Sequence, residues 1–157
     1  MLMHLLDSFA ELGPERTVVV VGHGRAQVDD ALVGHLVETV VQAPQYGTAH
    51  AALQAREARE GFSGNILVAF GDVPMVKSNT VRNLINALDG GAKVAVLGFR
   101  PADARAYGRI IADDDGTVRK MVEFKDATDS EKAVRLCNSG LIAAHSDDMW
   151  PLLDAVE

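Results

Sequence analysis

The chain has 157 residues, of which 48% are apolar and 24% are charged, so it is long enough and apolar enough to bury the core of a globular domain. This composition argues against disordered and fibrous proteins. The net charge of −7 at pH 7 disfavours non-specific binding to nucleic acid or to an anionic membrane, and any phosphate must therefore be held by local groups.

The first forty residues alternate helix and strand patterns. Apolar residues at helical spacing over 2–12 predict a helix, which the Gly-Pro pair at 13–14 ends. The β-branched run 17–21 is apolar on both faces and predicts a buried strand. Residues 26–36 then predict a helix, and residues 37–41 predict the next strand.

The middle of the chain continues this alternation. An Ala-rich segment predicts a helix with Thr48 as its cap, and residues 65–70 predict another buried strand. Residues 78–88 predict a helix that Ser78 caps, and residues 94–99 return as a strand. Alternation of this kind is typical of α/β proteins.

The pattern changes after residue 99. Residues 109–112 and 118–122 are short strand patterns on either side of the acidic turn 113–116, and together they predict a β-hairpin added to the sheet. Residues 136–144 predict a last strand, and Ser146 with the two acids after it suits the first turn of a further helix.

Targeting and redox signals point to the cytoplasm. The N-terminus has no basic n-region, and no apolar run approaches the length of a membrane span. The single cysteine, Cys137, has no partner for an internal disulfide and is interpreted as a buried thiol in a reducing compartment. Because no linker or repeat interrupts the sequence, we expect one domain over 1–157.

Two loops that follow predicted strands carry the residues with the clearest chemistry. Residues 42–50 (Gln-Ala-Pro-Gln-Tyr-Gly-Thr-Ala-His) join a strand to a helix, and residues 70–74 (Phe-Gly-Asp-Val-Pro) place a carboxylate just after another strand. In open α/β sheets ligands gather at the strand ends, so two such loops can converge on one substrate. Together they indicate a nucleotide and a metal.

Three further motifs follow in order, at 107–110 (Tyr-Gly-Arg-Ile), 122–128 (Val-Glu-Phe-Lys-Asp-Ala-Thr) and 138–140 (Asn-Ser-Gly). With these motifs the chain resembles the nucleotidyltransferase domain that makes UDP-N-acetylglucosamine in bacteria, a pyrophosphorylase usually found as the first half of a bifunctional enzyme. The resemblance implies an α/β fold of the Rossmann-like nucleotide-diphospho-sugar transferase type, with a mixed, mainly parallel sheet flanked by helices.

The reaction that the resemblance implies joins UTP to N-acetylglucosamine 1-phosphate and releases pyrophosphate, with Mg²⁺ as the cofactor. By resemblance, Asp72 is the catalytic and metal-binding residue, and its carboxylate is a ligand of the kind that Mg²⁺ prefers. The alternative is that Asp72 only caps the turn into Val73 and Pro74.

The resemblance implies that five residues bind the nucleotide: Gln42, Gln45, Gly47, Thr48 and Asp72. An amide such as that of Gln42 has both a donor and an acceptor for the N3–H and O4 edge of uracil, and a glycine lets a base approach the backbone. Without the resemblance, the two glutamines would indicate only a solvated loop.

The resemblance implies that four residues bind the sugar: Phe70, Gly108, Glu123 and Asn138. Phe70 stands where the family more usually has a tyrosine, so one hydroxyl contact is lost. Taken singly, Glu123 indicates a solvated carboxylate and Asn138 a bulge or turn.

The chain also departs from the family pattern. It begins after the family's first strand and glycine-rich triphosphate loop, it lacks the acetyltransferase half, and the family's second metal ligand would lie beyond Glu157. By resemblance the absent strand would lie between 17–21 and 65–70. We therefore expect that these two strands close up, that another chain adds a strand, or that the gene product starts further upstream.

Three hypotheses remain open at this point. The first is a UDP-N-acetylglucosamine pyrophosphorylase-related enzyme, whose activity in this chain is uncertain without the triphosphate loop. The second is a non-catalytic nucleotide-sugar-binding or interaction module that forms a homo-oligomer or takes up a strand-completing partner. The third is a fragment of the bifunctional enzyme.

Overall fold

The computed structural model describes residues 1–59 and 61–156, which form two compact units. The first unit consists of Met1–Ala95 and Ala143–Glu157, and the second consists of Val96–Ile142. The single domain expected from the sequence stays a prediction.

Helices and strands alternate along most of the described chain. The helices are α1 (Leu2–Ala10), α2 (Arg25–Ala31), α3 (Thr48–Gln54), α4 (Ser78–Asp89), α5 (Asp129–Ala133) and α6 (Ser146–Asp154), with a 3₁₀ turn at Glu57–Arg59. The strands are β1 (Val18–Val21), β2 (Glu38–Val41), β3 (Asn65–Val68), β4 (Val94–Phe99), β5 (Arg109–Ala112), β6 (Val118–Val122) and β7 (Cys137–His145). In the described residues no helix is long and apolar enough to span a bilayer.

The first unit is organised around β1, whose four residues are all valine. Strand β1 pairs in parallel with β2, from Val18 opposite Glu38 to Val21 opposite Val41. Valine suits a buried strand because its branched side chain packs well on a pleated surface. Val19 and Val21 form a core with Leu32 from the end of α2, and α1 packs against this core.

A large cavity separates β1 from β3 within the first unit. Its volume is about 1340 Å³, and both strands line it along their full length together with α1, α3, α4 and Trp150. Among the described residues β1 pairs only with β2, and the sole partner of β3 is β7. Of the three alternatives expected for these two strands, closing up is wrong, because β1 and β3 do not pair and the cavity lies between them. We name this cavity the interstrand slot.

The second unit is built on the predicted hairpin. Strands β5 and β6 are antiparallel, with Arg109 opposite Val122, and β5 also pairs antiparallel with β7 through Arg109 and Cys137. The Ser139 hydroxyl donates a 2.7 Å hydrogen bond to the Leu97 carbonyl of β4. Leu141 and Cys137 are fully buried, which confirms the interpretation of Cys137 as a buried thiol.

Several helix ends differ from the sequence-based expectations. Helix α2 ends at Ala31 rather than residue 36, and Gly34 follows with a φ of 90° that a continuing helix does not adopt. Thr48 and Ser78 are the first helical residues rather than caps. The Ser78 hydroxyl instead donates to the Glu11 carboxylate at 2.7 Å, which removes it from the helix terminus.

Helix α5 was absent from the sequence-based expectations, although its capping box is readable in the sequence. The Thr128 hydroxyl accepts from the Glu131 N–H at 3.3 Å, and the Glu131 carboxylate accepts from the Thr128 N–H at 2.8 Å. Lys120 donates to the same carboxylate at 2.6 Å. The Lys120 hydrogen bond, followed by those from Thr128, lowers the pKa of Glu131 to about 2.

We expect Glu131→Gln to remove a pH-dependent part of the stability. A carboxyl with a lowered folded-state pKa stabilises the fold above its ordinary pKa near 4.5, and this contribution is lost as the pH falls towards 2. In urea unfolding, the free energy of unfolding should be lower for Glu131→Gln than for wild type at pH 7, and this difference should narrow at pH 3.5. Glu57→Gln is the control, because Glu57 makes no described ion pair. An equal difference between wild type and Glu131→Gln at both pH values would contradict the prediction.

Candidate functional site

All five residues predicted for the nucleotide side lie in the first unit and line the interstrand slot. They are Gln42, Gln45, Gly47, Thr48 and Asp72. Phe70, which was predicted for the sugar side, lines this same cavity. The two loops that follow β2 and β3 are thus brought to a common space, as expected for the strand ends of an α/β sheet.

Gln42 is held firmly at the end of β2. Its backbone N–H donates to the Val21 carbonyl at 2.8 Å, and its side chain is 9% exposed. The side-chain nitrogen Nε2 donates to the Gly47 carbonyl at 2.9 Å and lies 3.0 Å from Nδ1 of His50. Both N–H groups of the amide are therefore directed at atoms of the chain, and Oε1 has no donor among the described residues.

Gln45 lies against Gly22. A Cβ atom at Gly22 would come within 1.9 Å of Gln45 Nε2, so the Gln45 side chain would have to shift if any other residue stood there. Gly22 directly follows β1. Sequence reasoning missed this contact, because nothing local to Gly22 indicates which distant side chain packs on it.

Gly47 and Thr48 form the turn into α3. Gly47 has a φ of 110°, which favours glycine, and its carbonyl accepts the hydrogen bond from the Gln42 side chain. Thr48 is exposed, and its side chain makes no hydrogen bond within the described chain, so its hydroxyl is available to a ligand. The neighbouring Tyr46 is also exposed, at 76%, and its ring meets that of His50 edge-on at 5.2 Å.

Asp72 lies in the turn after β3, and its carboxylate is exposed. It accepts no hydrogen bond and forms no ion pair within the described part of the chain, so the alternative that Asp72 only caps the turn is not supported. Across residues 1–59 and 61–156, no group of three or more His, Cys, Asp or Glu side chains is arranged to hold a metal. Asp72 thus presents one free carboxylate to the cavity.

The sugar-side residues of the second unit surround a separate, smaller cavity of about 90 Å³. It is lined by Gly108, Glu123 and Asn138 together with Arg109, Met121 and Val122. This volume matches about three water molecules and is far smaller than a typical ligand pocket. The cavity therefore has room for one small chemical group rather than for a whole ligand.

Hydrogen bonds orient the groups around this small cavity. The Asn138 N–H donates to the Gly108 carbonyl at 2.9 Å, and Asn138 Oδ1 accepts from the Gly140 N–H at 2.9 Å. The Asn138 amide nitrogen is left as a donor. A Cβ atom at Gly108 would lie 3.4 Å from Glu123 Oε1, so Gly108 and the Glu123 carboxylate are close neighbours at this cavity.

A family of known proteins matches most of the chain. Residues 1–125 match the family described as MobA-like NTP transferase domain, and this range includes every residue predicted for the nucleotide side. Asn138 lies outside the matched range.

Curated relatives match nearly the whole chain at high identity. The bifunctional protein GlmU of Novosphingobium aromaticivorans is 54% identical over 99% of this chain, and that of Zymomonas mobilis is 50% identical over 98%. The chain spans 35% of the length of each of these two proteins. These similarities confirm the resemblance that the five sequence motifs indicated.

Solved structures with the same fold confirm the α/β class. HddC from Yersinia pseudotuberculosis, complexed with GMP-PN, superimposes with a TM-score of 0.71 over 93% of this chain and 63% of that one, at 18% identity. The 4-diphosphocytidyl-2C-methyl-D-erythritol synthase from Anaerococcus prevotii gives a TM-score of 0.68 over 98% and 65% of the two chains, at 16% identity.

Proposed function

Because the chain belongs to the family of MobA-like NTP transferase domains, we propose that it is a uridylyltransferase-type protein that binds UTP and N-acetylglucosamine 1-phosphate. The reaction forms UDP-N-acetylglucosamine, a precursor of cell-wall polymers, and releases pyrophosphate. The observation that carries this proposal is that Gln42, Gln45, Gly47, Thr48 and Asp72 line one cavity. A cytoplasmic location belongs to the proposal, since UTP is found there.

In the proposed reaction an oxygen of the sugar 1-phosphate attacks the α-phosphorus of UTP, and the bond to pyrophosphate breaks. No protein nucleophile is needed, because positioning and charge neutralisation lower the barrier of such a displacement. The first unit contributes Gln42 to the base and Thr48 at the start of α3. Within the second unit, Glu123 and Asn138 line the small cavity and are the proposed partners of sugar hydroxyl and amide groups.

Asp72 is the proposed magnesium ligand. Its exposed carboxylate is free of protein partners, and Mg²⁺ is commonly held by one or two carboxylates plus substrate phosphates and water. When bound, the ion neutralises charge that develops on the phosphates. The single carboxylate at this position fits such a site and does not fit a dedicated all-protein cage.

We expect Asp72→Asn to lower the rate of pyrophosphate release by roughly 100-fold, the usual size for loss of one preorganised charge-stabilising group. The measurement combines UTP, N-acetylglucosamine 1-phosphate and Mg²⁺ with each variant. Asp89→Asn, an exposed acid at the end of α4, is the control and should match wild type. Full turnover by Asp72→Asn would contradict the assigned role.

A second candidate function is favoured by the interstrand slot. We propose as the alternative a non-catalytic nucleotide-sugar-binding module whose sheet is completed by a strand from a second polypeptide, either another copy or a different chain. Binding of UDP-N-acetylglucosamine by wild type without any pyrophosphate release would favour this module over the enzyme.

A further inference from the structure

His50 ends the segment 42–50, and the proposed function gives its side chain no task. It lies in the first turn of α3, and its Nδ1 is 3.0 Å from Gln42 Nε2. Its ring is half-buried and packs edge-on against Tyr46. The second ring nitrogen, Nε2, lies 3.2 Å from the Gln54 amide nitrogen, and Gln54 also donates to the His50 carbonyl at 3.0 Å.

Two acceptors fix the orientation of the Gln42 amide. Nε2 of an amide carries two N–H groups, and here they are directed at the Gly47 carbonyl and at His50 Nδ1. With Nδ1 as the unprotonated nitrogen, a turn of the amide by 180° would put its oxygen against the carbonyl oxygen and against the ring nitrogen, and would lose both hydrogen bonds. The free atom of the amide is therefore Oε1, an acceptor.

We propose that His50 is a positioning residue that holds Gln42 with its acceptor towards the base, so that the cavity selects a pyrimidine with a hydrogen on N3. This inference rests on the proposed function, since it refines how Gln42 recognises uracil. Uracil has an N3–H that donates to Oε1. Cytosine has an unprotonated N3, which would oppose Oε1 acceptor to acceptor, so we expect a preference for uridine nucleotides of roughly tenfold or more.

The tautomer of the His50 imidazole decides how firmly Gln42 is held. We call the hydrogen bond between Gln42 Nε2 and His50 Nδ1 the clamp. A neutral imidazole has one acceptor nitrogen, and two amides compete for it, Gln42 at Nδ1 and Gln54 at Nε2. The clamp on Gln42 needs the acceptor at Nδ1. Removing the competing amide of Gln54 should therefore leave the clamp intact or strengthen it.

The test measures the ratio of the dissociation constants of CDP and UDP by calorimetry for wild type and three variants. His50→Leu removes the acceptor and should lower the ratio to near one, while His50→Asn places an amide oxygen near the position of Nδ1 and should restore it. Gln54→Met should keep the ratio or raise it. A purely structural role of His50 would weaken both nucleotides equally, so an unchanged ratio in His50→Leu overturns the proposal.

A second readout does not depend on nucleotide. The side-chain N–H₂ signals of Gln42 in an ¹H–¹⁵N spectrum of the free protein should shift in His50→Leu and return towards the wild-type position in His50→Asn. Unshifted signals overturn the clamp even if uridine nucleotides bind. Shifted signals in a protein that binds neither UDP nor CDP confirm the clamp and overturn the base selection together with the proposed function.

Discussion

Replacing Arg109 with lysine is expected to lower the free energy of unfolding by about 1–3 kcal/mol. Arg109 is 3% exposed and has no carboxylate partner in the described chain. Its guanidinium instead donates to the backbone carbonyls of Ala104, Arg105, Tyr107 and Lys132. This geometry supports a structural role for Arg109 in the second unit rather than contact with a phosphate.

The size of the effect follows from the shape of the guanidinium. Its planar group spreads five N–H donors over several directions, whereas a lysine ammonium has three donors at a single point. Lysine has three donors for four carbonyls, so at least one part-buried carbonyl loses its donor, at about 1–3 kcal/mol. Since domains are usually stable by about 5–15 kcal/mol, Arg109→Lys would remove a measurable part of that margin.

Urea unfolding followed by circular dichroism measures this effect. Arg119→Lys is the matched control, because Arg119 is exposed on β6 and pairs with Asp113 in a solvated ion pair. Such a pair contributes about 0–1 kcal/mol. If Arg109→Lys were no less stable than Arg119→Lys, the four carbonyl contacts would not be stabilising the fold.

Addition of an apolar extended peptide is expected to stabilise the first unit by filling the interstrand slot. Strands β1 and β3 each have four residues, and each lacks a partner on the side that faces the cavity. Unpaired strand edges are templates for a further strand. The lining side chains of β1 and α1 are largely apolar, so the added residues should be apolar on both faces, as in a buried central strand.

The experiment uses a peptide with six central Val, Leu and Ala residues flanked by lysines for solubility. At a concentration 100-fold above its dissociation constant it should raise the free energy of unfolding by about 2.7 kcal/mol. Hydrogen exchange should slow at residues 18–21 and 65–68. The control peptide has proline at its centre, which removes an N–H and disrupts pairing. Protection of both strands without any peptide, in a chain shown to be monomeric by light scattering, would contradict the prediction.

Local patterns predicted the secondary structure best where turn chemistry marks both ends. Strands β4, β5 and β6 have the expected limits, since the acidic turn at 113–116 leaves the hairpin little freedom of register. Helix α2 was predicted too long, because apolar periodicity continues past the point at which Gly34 turns the backbone. Helix α5 was missed although its capping box lies in the sequence, because five residues give too little periodicity.

The sequence could predict that the candidate residues of the two loops lie near one another, but not the contacts that they make. The resemblance identified Gln42 and Asp72, and both lie at strand ends on one cavity. The hydrogen bonds that Gln42 makes to Gly47 and His50, and the contact of Gln45 with Gly22, depend on side-chain directions and on packing between distant segments. Spacing along the chain does not encode these directions.

The first unit is discontinuous in sequence, since it leaves off at Ala95 and resumes at Ala143. The second segment of this unit includes α6, whose Ser146 N–H donates to the Gly64 carbonyl at 2.8 Å and whose Asp154 pairs with Arg56. During translation the whole of 96–142 leaves the ribosome before α6 does. The second unit can therefore fold before the first unit has received its last helix. Bringing α6 back to the first unit closes a loop, and the entropic cost of that closure grows only slowly with the length of the inserted segment.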